Sequence, residues 1–302
     1  MNPKVFGRTL KGDKTHGKAF DTVRSLMGEL GIRFEKSCGI FRVYGVETAV
    51  NFPYEDLGFL SFHFSASKVS TLGADPKLVI SSLLVPSEID SRKGDIIEDI
   101  RRESSKYHSD VVIMVNKVEH LKNPMVSTVV VGEARELLLP LEARVGDPLA
   151  LIGVPGAEFL YSFATMRPHI LEKLDFREKI SRWRDYKWML SCLDAIRTIP
   201  SVAKVKGMLW VGENGILGSL DVLSRLTGMG FAIRRDYLEL PPELVELTHH
   251  LGLDPLSVPS RGSVIVILSK DSPISQLKDV LDAHGYKVSF IGSLSSGERG
   301  RR

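Results

Sequence analysis

The stretch Asp56–Pro86, DLGFLSFHFSASKVSTLGADPKLVISSLLVP, constrains the fold more than any other part of the chain. Gly58–Leu72 reads as a helix that stops at Gly73-Ala74-Asp75-Pro76, because glycine accepts the left-handed turn that ends a helix and proline cannot continue one. The apolar run Lys77–Val85 then reads as a strand. A helix tied to a strand by so short a stop has to pack its apolar surface against a sheet, so the chain needs both element types in one core.

The remaining elements follow from the same signals. His16–Leu30 carries Phe20, Val23, Leu26, Met27 and Leu30 at helical spacing, and Gly31 closes it. Gly39–Val50 is rich in β-branched and aromatic residues and reads as strand or hairpin. Lys93–Tyr107 reads as a charged amphipathic helix, and Asp110–Val115 and Val126–Gly132 as strands around the loop Lys122-Asn123-Pro124. Leu141–Asp147 leads into the strand Leu149–Gly153 and marks a domain boundary, which gives an arm at 1–15 and domains at 16–142 and 143–302. Beyond it, helices are expected at Glu158–Met166, Lys187–Ile199, Gly218–Thr227, Pro242–Leu251 and Ile274–His284. Strands are expected at Lys206–Val211, Ala232–Arg234, Val264–Leu268 and Lys287–Ile291. This mixed order indicates an α+β fold and not a doubly wound parallel sheet.

Composition narrows the class of protein. The 302 residues are 43% hydrophobic and 25% charged, as in an ordinary globular chain, and a net charge of +3 is too small to imply a polyanion partner. Two cysteines, Cys38 and Cys192, rule out a disulfide framework and a cysteine metal cluster. They fit a reducing compartment. With no apolar run long enough to span a bilayer, no membrane partner is expected, and a cytoplasmic location is.

Three stretches in order resemble the aminoimidazole-ribonucleotide (AIR) synthetase superfamily, nearest in pattern to thiamine-monophosphate kinase and the hydrogenase maturation factor. In the first, Leu57-Gly58, Leu72-Gly73-Ala74 and Pro76 match a glycine-led helix followed by N-D-L-A-x-M-G-A-x-P and an apolar strand. The second, RVGDPLALIG at Arg144–Gly153, resembles the motif that opens the family's second domain. The third is Leu251–Gly292, where LGLDPLSVPSRGSVIVILSKD and the closing Ile291-Gly292 resemble the C-terminal pattern. The resemblance spans roughly residues 46–294. It implies a two-domain AIR synthase-like fold, in which the N-terminal domain contributes strands to a β-barrel shared across a homodimer and the C-terminal domain is α/β. It also implies Mg-ATP in a cleft at the domain junction.

The resemblance further implies where metal-binding aspartates should stand, and at those places this chain carries other residues. Aligned on Gly73-Ala74, Ser67 falls at the family's asparagine and Lys68 at its aspartate. A lysine there repels a divalent ion, although it could contact a phosphate directly. The G-G-D-T place after the strand at Asp110–Met114 holds Asn116 and Lys117, without the glycines. At the second-domain motif, WVGENGI, the aspartate place falls on Trp210 or Val211, while Glu213, Asn214 and Gly215 keep an acid and a turn before a helix whose N-terminus could hold an anion. For the N-terminal G-D-D motif there is only Gly12-Asp13-Lys14-Thr15. The C-terminus, SSGERGRR, lacks the maturation factor's cysteine.

These replacements point first to a homodimer that has lost ordinary Mg-ATP-dependent catalysis and binds a phosphorylated metabolite or nucleotide. The candidate ligand-binding residues are Ser67, Lys68, Asn116, Lys117, Glu213, Asn214 and Gly215, with no catalytic residue assigned. The alternative is an active enzyme of the thiamine-monophosphate kinase type with a rearranged site, in which Glu47, Asp56 and Glu213, with Glu55, would supply the metal-binding carboxylates. A third reading takes Arg177–Trp188 as a basic and aromatic surface for nucleic acid or a protein, against an ordinary helix packed through Ile180, Trp183, Tyr186 and Trp188. Glu178 and Asp185 dilute that patch, so nucleic acid is not the expected partner.

Overall fold

The computed structural model describes residues 14–87 and 93–296, with the backbone alone for 14–20 and 22. The expected arm at 1–15 and the SSGERGRR terminus lie wholly or almost wholly outside these residues.

Helix α1 (Lys14–Glu29) leads into the hairpin of β1 (Ile32–Ser37) and β2 (Ile40–Val50). Cys38 and Gly39, both at positive φ (50° and 83°), form its two-residue turn. Helix α2 (Leu57–Thr71) precedes β3 (Asp75–Pro86), and α3 (Lys93–Lys106) crosses over to β4 (Asp110–Val118), which pairs with β3 in parallel. Strand β5 (Met125–Ala134) enters between β2 and β3, giving the five-stranded order β1-β2-β5-β3-β4. One chain thus forms an open sheet and not a closed barrel among the described residues.

The second sheet is antiparallel throughout, with order β7-β9-β6-β10-β8. It comprises β6 (Pro148–Ile152), β7 (Val205–Trp210), β8 (Gly230–Ile233), β9 (Val264–Leu268) and β10 (Val288–Ser295). Around it lie α4 (Ala157–Met166), α5 (Pro168–Lys173), α6 (Arg177–Ser181), α7 (Leu193–Val202), α8 (Gly215–Thr227), α9 (Pro242–Leu251) and α10 (Ile274–Ala283). The fold is α+β, built on two sheets.

Helix α2 joins the halves. Every one of its residues except Phe59 is buried, because it lies on β2 and β5 and also meets α3, α7 and β7. A helix covered on all sides needs no polar face, which explains its weak periodicity in the sequence. Its approach to the sheet depends on missing side chains. A Cβ on Gly45 would meet the Ser65 carbonyl at 2.6 Å, and one on Gly132 would run into Val69. Serines fill the polar demand inside the packing: Ser65 Oγ donates to the Thr128 carbonyl at 2.9 Å, and Ser61 Oγ to that of Gly58 at 3.1 Å. At the far side of α2, His63 is buried between Glu103 Oε2 of α3 (3.2 Å) and Ser191 Oγ (2.7 Å), tying three segments together.

The expected single helix at Lys187–Ile199 is instead a 3-10 turn at Lys187–Leu190 followed by α7. Residues 177–185 likewise form only the short α6 and a 3-10 turn, not one amphipathic helix. Ile180 and Trp183 are buried there as a packed helix would have them, but Trp188 is 51% exposed.

Candidate functional site

The two halves meet over a set of buried charges. Glu47 is on the inward face of β2, between buried Gly45 and Ala49, and Lys68 is on α2 opposite it. Lys68 Nζ donates to Glu47 Oε2 at 3.2 Å and to the Val46 carbonyl at 2.8 Å. It also lies 5.0 Å from the centre of the Trp210 ring, at the end of β7.

The C-terminal half supplies the central cation, Arg261, on the segment between α9 and β9. Positive φ at Gly262 (93°) turns that segment back against Met189 and Leu190, where a Cβ would collide. Ser260 Oγ accepts the Gly156 N–H at 2.9 Å, fixing the segment to the start of α4. That brings Glu158, in the first turn of α4, under Arg261. The Arg261 backbone N–H donates to Glu158 Oε2 at 3.0 Å, and its Nη1 pairs with Glu158 Oε1. Nε and Nη2 reach Glu47 Oε1 at 3.3 and 3.0 Å, and Nη2 also reaches Glu213 Oε1 at 2.6 Å. The guanidinium lies over the Phe64 ring at 5.1 Å and near that of Trp210 at 5.7 Å.

Three carboxylates therefore converge on two cations in a largely dry setting. Burial lowers the proton affinity of the Lys68 ammonium, and Glu47 opposes without cancelling it. For Arg261, burial acts downward but Glu158, Glu47 and Glu213 outweigh it and hold the guanidinium above its ordinary value. Burial raises the Glu158 carboxyl against the pull of Arg261. The outlier is Glu213, whose side chain is 72% exposed whereas that of Glu158 is 4% exposed.

A cavity of about 480 Å³ opens beside this network, lined by Gly31, Glu47, Lys68, Trp210, Glu213, Asn214 and Val222 among others. The N-terminus of α8 borders it. A second cavity of about 340 Å³ shares Thr48, Val50 and Glu213 with the first and adds Arg167 and Arg261.

Of the residues singled out in the sequence, Glu47, Lys68, Glu213 and Asn214 meet at the larger cavity. Ser67 is buried beside Lys68, where it is the hydrogen-bond partner of the Cys192 thiol. Gly215 opens α8 at positive φ, where a Cβ would meet the Leu256 and Val258 carbonyls at 2.5 and 2.6 Å. Asn116 and Lys117 are exposed on the edge strand β4, opposite Leu84 and Val85, and line neither cavity. Asp56 is elsewhere, paired with Lys187 Nζ at 2.7 Å and with the Tyr161 hydroxyl. Arg261 and Glu158 were not anticipated. The available signal was a lone charge in an apolar setting: Arg261 just before the all-apolar β9, and Glu158 in AEFLYSFATM.

A divalent ion does not fit this donor set. Glu47 and Glu158 already accept from Arg261 or Lys68, and among the described residues no three His, Cys, Asp or Glu side chains are grouped to hold a metal. The basic stretch is likewise engaged. Lys179 pairs with Glu246 (2.7 Å), Lys187 with Asp56, Arg177 with Glu172 and Arg182 with Glu243, while Arg184 donates to the Ala164 carbonyl (2.6 Å). Among the described residues no helix is long and apolar enough to cross a membrane.

Comparison with known proteins adds the wider context. A putative hydrogenase expression/formation protein of Methanocaldococcus jannaschii is 20% identical over 255 residues, 82% of this chain and 73% of that one. Thiamine-monophosphate kinase from Stenotrophomonas maltophilia superposes with a TM-score of 0.70 at 14% identity, covering 92% of this chain and 93% of that one. The hydrogenase maturation protein HypE in complex with ATP gives 0.66 at 18% identity, covering 95% and 88%. Such likenesses establish the shared fold. The family described as AIR synthase related protein, C-terminal domain, matches residues 144–302, more than half of the sequence, and the chain belongs to that family.

Proposed function

We propose that this protein binds a phosphorylated metabolite or nucleotide in the cleft between its halves without a divalent ion, and that it has lost ordinary Mg-ATP-dependent catalysis. One observation carries the reading: the cleft's buried carboxylates, Glu47 and Glu158, are paired with Arg261 and Lys68, two cations built into the chain. Transfer of a phosphoryl group needs its charge balanced, commonly by Mg²⁺ on carboxylates. Here guanidinium and ammonium groups take up Glu47 and Glu158, the buried carboxylates an ion would need to share. Anion binding is supported by the same two cations and by the N-terminus of α8 at the cavity rim. Solved relatives include HypE with ATP, which supports a nucleotide as the first ligand to try.

The working unit we propose is a homodimer. Val46, Ile80, Val112 and Val129 are in register on one face of the first sheet, and Val46 and Val112 are 43% and 49% exposed. An open apolar sheet face of this kind favours cover by a second copy. A cytoplasmic setting suits the two free cysteines.

A rearranged active enzyme is the second reading, favoured by the convergence of Glu47, Glu158 and Glu213. Isothermal titration separates the two. ATP in EDTA should bind with the same affinity as ATP with Mg²⁺. Binding that appears or tightens markedly with Mg²⁺, or phosphoryl transfer to thiamine monophosphate, would refute the first reading.

A further inference from the structure

Arg167 faces the smaller cavity and makes no ion pair among the described residues; its guanidinium is 5.7 Å from the Phe163 ring. Arg261 lines the same cavity. Two of its three carboxylate partners, Glu158 and Glu47, have side chains only 4% and 14% exposed, and these hold the guanidinium in place. The third, Glu213, is 72% exposed and hangs on Nη2 alone. An exposed carboxylate is well solvated when released, so leaving Arg261 costs it little. At the smaller cavity the carboxylates of Glu158 and Glu213 balance the cations Arg167 and Arg261. With Glu213 turned out to solvent, one carboxylate faces two cations there.

We propose that the smaller cavity is a subsite for a phosphate monoester, and that Glu213 is its built-in self-ligand. The incoming phosphate displaces Glu213 from Arg261 Nη2 and takes Arg167 as its second cation. A phosphate offers three acceptor oxygens, enough for two guanidinium forks. Glu213 also borders both cavities, so its departure joins them into one cleft for the rest of the ligand. The proposal deepens the reading above and rests on it for the identity of the ligand.

The probe is inorganic phosphate, titrated into the full chain by calorimetry in EDTA. Glu213→Ala should bind it about fivefold more tightly than the unmodified protein, the factor set by losing an exposed ion pair. Asp221→Asn removes the same charge from the exposed face of α8 without touching Arg261, and should change affinity less than about twofold. Arg167→Gln should erase the gain. Equal effects of Glu213→Ala and Asp221→Asn, no gain in Glu213→Ala, or indifference to Arg167→Gln would each overturn the subsite. Titration of the unmodified protein with ATP in EDTA keeps the two ideas apart. If ATP binds and Glu213→Ala brings no gain for phosphate, the subsite fails alone. If ATP does not bind but phosphate behaves as expected, the broader reading fails alone.

Discussion

Replacing Arg261 with methionine tests whether the charge network holds the halves together. Methionine keeps an apolar stem and removes the guanidinium that lies over Phe64. Glu47 then retains Lys68, whereas Glu158, with a side chain 4% exposed, loses its pairing partner. Stranding one charge of a buried pair costs about 3–5 kcal/mol. The loss should depend on pH with a definite sign. Burial already holds the Glu158 carboxyl above its ordinary 4.5, and removing Arg261 removes what opposes that rise. A carboxyl whose folded pKa is raised favours the fold below its unfolded value and surrenders that advantage as pH climbs through the folded value. The gap between variant and parent should therefore be small in mild acid and widen toward neutral and alkaline pH. Urea unfolding followed by tryptophan fluorescence at several pH values measures it. Adding Glu158→Gln to the variant should recover much of the loss, since no bare carboxylate remains. A cost under about 1 kcal/mol at neutral pH, or one that ignores pH, would refute the reasoning.

Three further perturbations probe other parts of the molecule. Lys68→Asp sets an acid against Glu47; at about 4 Å and an effective dielectric of about 20 this costs roughly 4 kcal/mol. Its melting temperature should fall and recover partly with Mg²⁺, while the parent is indifferent to the ion. Burial lowers the His63 proton affinity against the pull of Glu103, so His63 contributes stability above its unfolded pKa of 6.5 that is lost as pH falls below it. His63→Gln should flatten the acid limb of a plot of melting temperature against pH. Paired Val112→Lys and Met114→Lys changes on the exposed edge strand β4 should convert the proposed dimer to a monomer in light scattering with little loss of helix content in circular dichroism.

Much of the fold was legible because its signals are local. Helix α9 starts at the second proline of its Pro-Pro pair and ends at Gly252, and β9 is five consecutive buried apolar residues, so both have the expected boundaries. Strand β1 was missed: of IRFEKS only Ile32 and Phe34 face the core, too short an alternation to outweigh its charges. The break at Ser191 was hidden for another reason. Ser191 Oγ engages His63, 128 positions away, and Lys187 engages Asp56, 131 away. Helical spacing through Lys187–Ile199 carries no trace of those partners.

The site divides along the same line. Lys68, Glu47 and Glu213 were visible because a family pattern marks their places, yet that pattern says only that an acid is missing or kept. It does not say what neutralises the acids that remain. Arg261 does so from 214 positions beyond Glu47, through a segment whose direction depends on the positive φ of Gly262 and on Ser260 holding α4. In this cleft Lys68 and Arg261 meet the buried carboxylates of Glu47 and Glu158 directly. A buried charge without a partner costs several kcal/mol, so an inward lysine on an apolar helix requires an acid within reach, and Glu47 on the inward face of β2 is that acid. Complementary charges on otherwise apolar segments are thus the one sequence trace of such a site. Lys68 with Glu47, and Arg261 with Glu158, carry it.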